Sequence, residues 1–143
     1  MRLGFTGTRR GMTAAQRAAC AELLARLTPE VVHHGDAVGA DAEMHGLALA
    51  AGVPVVVHPP VNPSHRAFSQ GGEVLEPRPH KARDRDVVDA TDLLLGTPAA
   101  LEEQDPHSGT WYTIRYARRR GRPIVIVWPD GREERLGFAE HVR

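Results

Sequence analysis

Val31-Val32-His33-His34-Gly35-Asp36-Ala37-Val38-Gly39-Ala40-Asp41 is the stretch on which the reading of this chain turns. Two β-branched residues open a strand that runs into the histidines, and a turn of small residues follows. An alanine-rich helix is expected from Ala42 to Ala51, closed by Gly52, and the β-branched run Val53 to His58 returns as a strand. Strand, helix and strand in succession make a unit whose two strands lie parallel, with the helix packed across them.

The same alternation continues in both directions. Upstream, Arg2 to Thr6 reads as a strand entering Gly7-Thr8-Arg9-Arg10-Gly11. Thr13-Ala14-Ala15-Gln16 then has the form of a capping box, opening a helix to about Leu27 that buries Ala19, Leu23, Leu24 and Leu27. Downstream, Pro59 to Gly72 is rich in Pro, Ser, Asn and His and reads as a surface loop, followed by a weak strand at Glu73 to Leu75. A charged helix over His80 to Ala90 precedes the apolar run Asp92 to Gly96, and Thr97 to His107 forms a second long loop. Ser108-Gly109-Thr110 opens a helix reaching Arg120. Pro123 to Trp128 is a buried strand, and the turn Pro129-Asp130-Gly131 lets Arg132 to Leu136 return as an edge hairpin. The pattern predicts one α/β domain over residues 1–143. It has a mostly parallel sheet of about five to seven strands, with helices on both faces.

The 143 residues carry 18 basic and 18 acidic side chains, so no global basic field favours nucleic acid. Lys81 is the lone lysine; arginine forks grip phosphates and carboxylates bidentately, which leaves local anion sites open. Cys20 is the single cysteine, which excludes an internal disulfide and a cysteine-rich zinc site. The opening Met1-Arg2-Leu3-Gly4-Phe5-Thr6 is too short in apolar length for a signal peptide, and no run reaches the roughly 18 apolar residues of a membrane helix. The expectation is a cytoplasmic protein with no membrane partner.

In parallel sheets ligands bind beyond the carboxyl ends of the strands, and four small-residue clusters fall there. Gly7-Thr8-Arg9 offers exposed amides, a hydroxyl and a guanidinium suited to a phosphate; a tight turn with solvated arginines explains it equally. The spacing is neither the Gly-x-Gly-x-x-Gly fingerprint nor a Walker lysine motif, so a standard dinucleotide or ATP site is disfavoured and no cofactor is expected. In the second cluster Gly35, Gly39 and Ala40 allow close approach, and Asp36 and Asp41 suit ribose hydroxyls or a base edge; both aspartates also fit simple turn and first-turn roles. Gly96-Thr97 ends a strand. Ser108-Gly109-Thr110 is an anion nest or, for Ser108, an N-cap. Arg83-Asp84-Arg85-Asp86 reads as a solvated helix face, with Arg83 and Val87 on one side. Trp111, Tyr112 and Tyr116 suit a stacked base, and equally a core or subunit interface. His33 and His34 are adjacent in a strand and face opposite sides, the other histidines are scattered, and no metal site is expected.

Taken in order, Gly4-Phe-Thr-Gly-Thr-Arg9, His34-Gly-Asp-Ala-Val-Gly-Ala-Asp41, Arg83-Asp-Arg-Asp-Val87, Asp92-Leu-Leu-Leu-Gly96 and Ser108-Gly-Thr110 resemble the SLOG superfamily. This superfamily groups DprA/SMF proteins with the lonely-guy phosphoribohydrolases, and the small stand-alone YspA- and YpsA-related branch is the most similar in flavour. The resemblance spans Arg2 to about Trp128. It implies a Rossmann-like fold that binds a nucleotide or nucleotide-derived ligand at the loops holding Gly7, Thr8, Arg9, Gly35, Asp36, Gly39, Ala40, Asp41, Arg83, Gly96, Thr97, Ser108, Gly109 and Thr110. Arg83 falls where the lonely-guy enzymes have a helix arginine, and Gly109-Thr110 match the Gly-Thr of their Pro-Gly-Gly-x-Gly-Thr-x-Glu motif. Tyr112 stands in place of the glutamate, and Pro106-His107-Ser108 replaces the opening Pro-Gly-Gly.

A tyrosine does not stabilise a cationic sugar or activate water as a glutamate does. The leading expectation is therefore a nucleotide-binding sensor or carrier, forming a homo-oligomer. The alternative is a hydrolase splitting a nucleotide's N-glycosidic bond, with Asp36, Asp41 and Arg83 as catalytic candidates. A third reading, a DprA-like binder of single-stranded DNA, rests on the resemblance and on Arg115, Arg118, Arg119, Arg120 and Arg122; neutral net charge makes nucleic acid the less favoured partner.

Overall fold

The computed structural model describes residues 1–100 and 108–138; most of the loop expected over Thr97 to His107 lies outside them. Elements follow one another as β1 (Arg2–Gly7), α1 (Ala14–Leu27), β2 (Val31–His34), α2 (Ala40–Ala50), β3 (Val55–Val57), β4 (Glu73–Val74), α3 (His80–Asp89), β5 (Leu93–Thr97), α4 (Gly109–Arg119), β6 (Ile124–Val127) and β7 (Glu133–Leu136). They build one seven-stranded sheet in the order β4-β3-β2-β1-β5-β6-β7. Every pairing is parallel except β6 with β7, which closes antiparallel through the turn at Gly131.

The period of two in each strand divides the core. In β5, Leu93 and Leu95 face α1 and α2 while Leu94 faces the other side; in β6, Val125 and Val127 join the first group and Ile124 and Ile126 the second. Cys20, Leu23 and Leu24 of α1, with Met44 and Ala48 of α2, cover one face. Val88 of α3 with Ile114 and Ala117 of α4 cover the other. Each continuous apolar run of sequence is thus a strand buried on both faces. Ala19 and Leu27, expected in the core of α1, pack at its margin, and Gln16 and Cys20 are buried instead. Helix α2 begins two residues earlier than its alanine run suggests, because the Ala40 amide donates to Thr8 O at 3.0 Å and fixes the first turn there.

The capping box at Thr13 forms as read. Thr13 Oγ1 accepts from the Gln16 amide at 3.0 Å, and Gln16 Oε1 accepts from the Thr13 amide at 2.9 Å. Gln16 does more than cap. Its side-chain amide, 1% exposed, donates to Pro98 O at 2.8 Å and Val127 O at 3.0 Å, joining α1 to the ends of β5 and β6. Gln16→Ala orphans two buried carbonyls and one side of the cap. Urea unfolding should show a loss of about 2 to 3 kcal/mol with an unchanged slope.

Candidate functional site

Strands β1, β2 and β5 end side by side, and helices α2, α3 and α4 begin close to those ends. The loop after β1 and the loop after β2 interlock. Thr8 O accepts from both Gly11 N (3.1 Å) and Ala40 N (3.0 Å). Gly39 has φ +87°, and a Cβ there would lie 2.3 Å from Arg9 O, so the crossing admits glycine alone.

Arg83 ties α3 into this junction. Its guanidinium is 6% exposed and Nη1 donates to Gly35 O, in space that any side chain at residue 35 would occupy. Nη2 donates to His80 Nδ1 at 3.0 Å, and Nε lies 2.9 Å from Asp84 Oδ1 as an ion pair without an aligned N–H. Because a guanidinium only donates, His80 carries its proton on Nε2 and aims it at His65 Nδ1, 2.8 Å away. Burial, then the Arg83 charge, holds His80 below the usual histidine range.

Between these elements opens a cavity of about 580 Å3. Thr8, Arg9 and Arg10 line it from the β1 loop, Gly35, Ala37 and Asp41 from the β2 side, and His80, Lys81, Arg83 and Asp84 from α3. The opening turn of α4 supplies Ser108, Gly109 and Thr110, with Trp111, Tyr112 and Thr113 behind them. Ser108 caps that helix through a contact from the Trp111 amide at 3.4 Å. Amides at a helix start and a set of arginine and lysine side chains favour negative charge on the ligand.

Two carboxyls stand against these cations. Asp41 is 5% exposed; Oδ2 accepts from Ala37 N at 3.1 Å, while Oδ1 has no partner. Burial pushes its pKa up to about 7, and the neighbouring Arg83 charge only partly opposes this. Burial raises Asp84 to about 6, against the pull of Arg83 and Thr113.

Of the residues expected at the site, Gly7, Thr8, Arg9, Gly35, Asp41, Arg83, Ser108, Gly109 and Thr110 line the cavity, and Gly39 and Ala40 shape it from behind. Asp36 turns away. Fully buried at φ +57°, it accepts from Arg66 Nε at 2.9 Å and Ser69 N at 3.0 Å, and so anchors the Pro59–Gly72 loop. That placement keeps Asp36 off the cavity wall. Gly96 gives room to Ile114 of α4, and Thr97 is fully buried beside Gly7 and is not part of the cavity wall. Arg83 and Asp84, read as a solvated face, are instead enclosed; the spacing of His80, Arg83, Asp84 and Val87 on one side of the helix was the signal. Tyr112 accepts from Arg85 Nη1 at 2.8 Å and Trp111 packs on Trp128 at 5.9 Å, so both brace α4 while facing the cavity.

The described histidines pair rather than cluster: besides His65 with His80, His33 meets His58 at 2.7 Å and His34 meets His45 at 2.9 Å, on opposite sides of β2. Among the described residues no group of three or more His, Cys, Asp or Glu could hold a metal ion. Among them, too, no helix is long and apolar enough to cross a membrane.

No family model matches the sequence, and no curated protein does. Solved structures do match in fold. The molybdenum cofactor binding protein of Rippkaea orientalis superimposes with a TM-score of 0.67 at 16% identity, over 89% of this chain and 76% of that one. DprA of Streptococcus pneumoniae gives 0.66 at 19% identity over 87% of this chain, which spans 49% of DprA. The molybdenum cofactor carrier protein of Chlamydomonas reinhardtii gives 0.61 at 17% identity, over 87% and 74% of the two chains. The chain shares a Rossmann-like α/β fold with these proteins. At these identities the likeness concerns the fold alone.

The Asp41 carboxyl leaves a thermodynamic signature. Between the ordinary carboxylate value and about pH 7 the folded chain keeps a proton that the unfolded chain releases, so this contribution is lost as pH rises through 7. Asp41→Asn removes the titration and retains an acceptor for Ala37 N. Its melting temperature relative to wild type should climb from pH 5 to pH 8; a constant difference would show that Asp41 does not titrate in this range.

Proposed function

We propose that the chain is a sensor or carrier that binds a nucleotide or nucleotide-derived small molecule in the cavity at the carboxyl edge of the sheet. The observation that carries this reading is the convergence of Arg9, Lys81 and the α4 start at Gly109-Thr110 on one enclosed space. Cations and helix-start amides together hold a phosphate. The zero net charge confines that attraction to the cavity and gives the rest of the surface no general affinity for polyanions. Two proteins of the same fold are described as binding or carrying molybdenum cofactor, which supports an anionic small molecule as the class of ligand.

Calorimetry with AMP and with inorganic phosphate tests the proposal. Arg9→Ala and Gly109→Asp should each lower affinity for both by at least tenfold while the chain still melts cooperatively. The second variant sets a carboxylate at the helix start, where a Cβ would stand 3.9 Å from Asp84 Oδ2. Unchanged affinity in both variants would sink the proposal.

A second reading is favoured by the buried Asp41 and the half-buried Asp84, two carboxyls with acidities moved toward neutrality inside the same cavity. On this reading the protein splits the N-glycosidic bond of a nucleoside monophosphate. Appearance of free base on incubation with the four ribonucleoside monophosphates, lost in Asp84→Asn, is the expected result. Intact nucleotides at high protein concentration would leave binding as the function.

A further inference from the structure

The proposed phosphate end of the cavity accounts for the cations and for the start of α4, and leaves Asp41 unexplained. Asp41 sits in the first turn of α2, where a carboxylate suits the helix dipole and where one oxygen takes the Ala37 amide. That role needs one acceptor. The second oxygen, Oδ1, is buried and unpartnered on a residue that lines the cavity, and a buried acceptor without a partner is costly.

A ligand group that satisfies Oδ1 must suit its surroundings. The fixed Arg83 guanidinium acts on Asp41 electrostatically and lines the same cavity. A ligand ammonium would donate to Asp41 but would be repelled by Arg83. An apolar edge would leave Oδ1 stranded, and an ionised phosphate, which only accepts, would give it no donor. A hydroxyl donates to a carboxylate and accepts from a guanidinium. It also fits Asp41 in either ionisation state, because a protonated carboxyl donates back to the same oxygen. Vicinal hydroxyls offer this combination twice.

We infer that Asp41 reads the free hydroxyls of a pentose, so that the cavity takes a ribonucleotide-type phosphate and discriminates against its deoxy counterpart. The inference rests on the proposed phosphate-binding function and assigns to one residue the choice of sugar. It also disfavours single-stranded DNA as an occupant. Within a DNA strand no free vicinal hydroxyls exist to meet Oδ1.

The test compares AMP, 2′,3′-dideoxy-AMP and inorganic phosphate by calorimetry on the full chain. Wild type should bind AMP at least tenfold more tightly than the dideoxy compound. Asp41→Asn should cut that ratio to within about threefold while inorganic phosphate still binds. Equal binding of the two nucleotides by wild type overturns the inference, and this comparison needs no variant to fold. A tenfold ratio that survives in Asp41→Asn overturns it as well, as does AMP binding no tighter than inorganic phosphate. Absence of binding for all three probes, inorganic phosphate included, defeats the phosphate-binding function itself and this inference with it.

Discussion

A single buried guanidinium holds the cavity together. Enclosing the Arg83 guanidinium costs several kcal/mol unless its donors and its charge are both met. Gly35 O and His80 Nδ1 accept from Nη1 and Nη2, while Asp84 meets the charge and Asp41 shares its electrostatic environment. Those partners come from the end of β2, from α3 itself and from the start of α2. The parallel sheet sets the strand ends in a row, but the guanidinium fixes the distance between α3 and the β2 loop. Gly35 is required for the same reason, since its missing side chain is the space the cation fills.

Around that cation the chain uses neutral imidazoles as directional links. His34 Nδ1 accepts from Asp36 N at 2.9 Å, which sends its Nε2 proton to His45 Nδ1; His45 Nε2 in turn donates to Gln70 O at 2.6 Å. Asp36 holds Arg66 and Ser69 of the same segment. The Pro59–Gly72 loop is therefore fastened to the sheet by polar groups sunk beneath it. Burial keeps His34 uncharged down to about pH 3 and His58 down to about pH 4, so the links keep their polarity over the physiological range.

Much of the architecture was legible in the sequence because β5 and β6, buried on both faces, show as apolar runs, and because Thr13 to Gln16 and Ser108 are helix starts with a chemical reason. The order of strands follows from the crossovers. The site was half legible. Gly7-Thr8-Arg9 and Gly109-Thr110 were singled out because amides and cations beyond strand ends suit an anion, and both line the cavity. Asp36 and Asp41 were indistinguishable in sequence, five residues apart in one loop. What separates them is the left-handed backbone at Asp36 and an arginine thirty positions away, neither visible in local pattern. Asp84 was hidden in the run Arg83-Asp84-Arg85-Asp86, where alternate signs suggest water on all sides. Only its partner Arg83 and the packing of α4 take it out of solvent.

The two borders of the sheet carry a consequence for the protein in concentrated solution. An uncovered strand border is a template on which a second molecule can stack its own backbone. Here one border is β7, short, antiparallel and carrying Glu133, Glu134 and Arg135 on a partly exposed strand. The other is β4, two residues long, with Glu76 after Leu75 and Pro77 and Pro79 close behind to withhold amide donors. Val74 and Leu75 are exposed there, yet the backbone beneath them offers too few hydrogen bonds to seed a ribbon. The sheet is terminated at both sides by chemistry as well as by length, and these borders discourage lateral growth into fibrous assemblies.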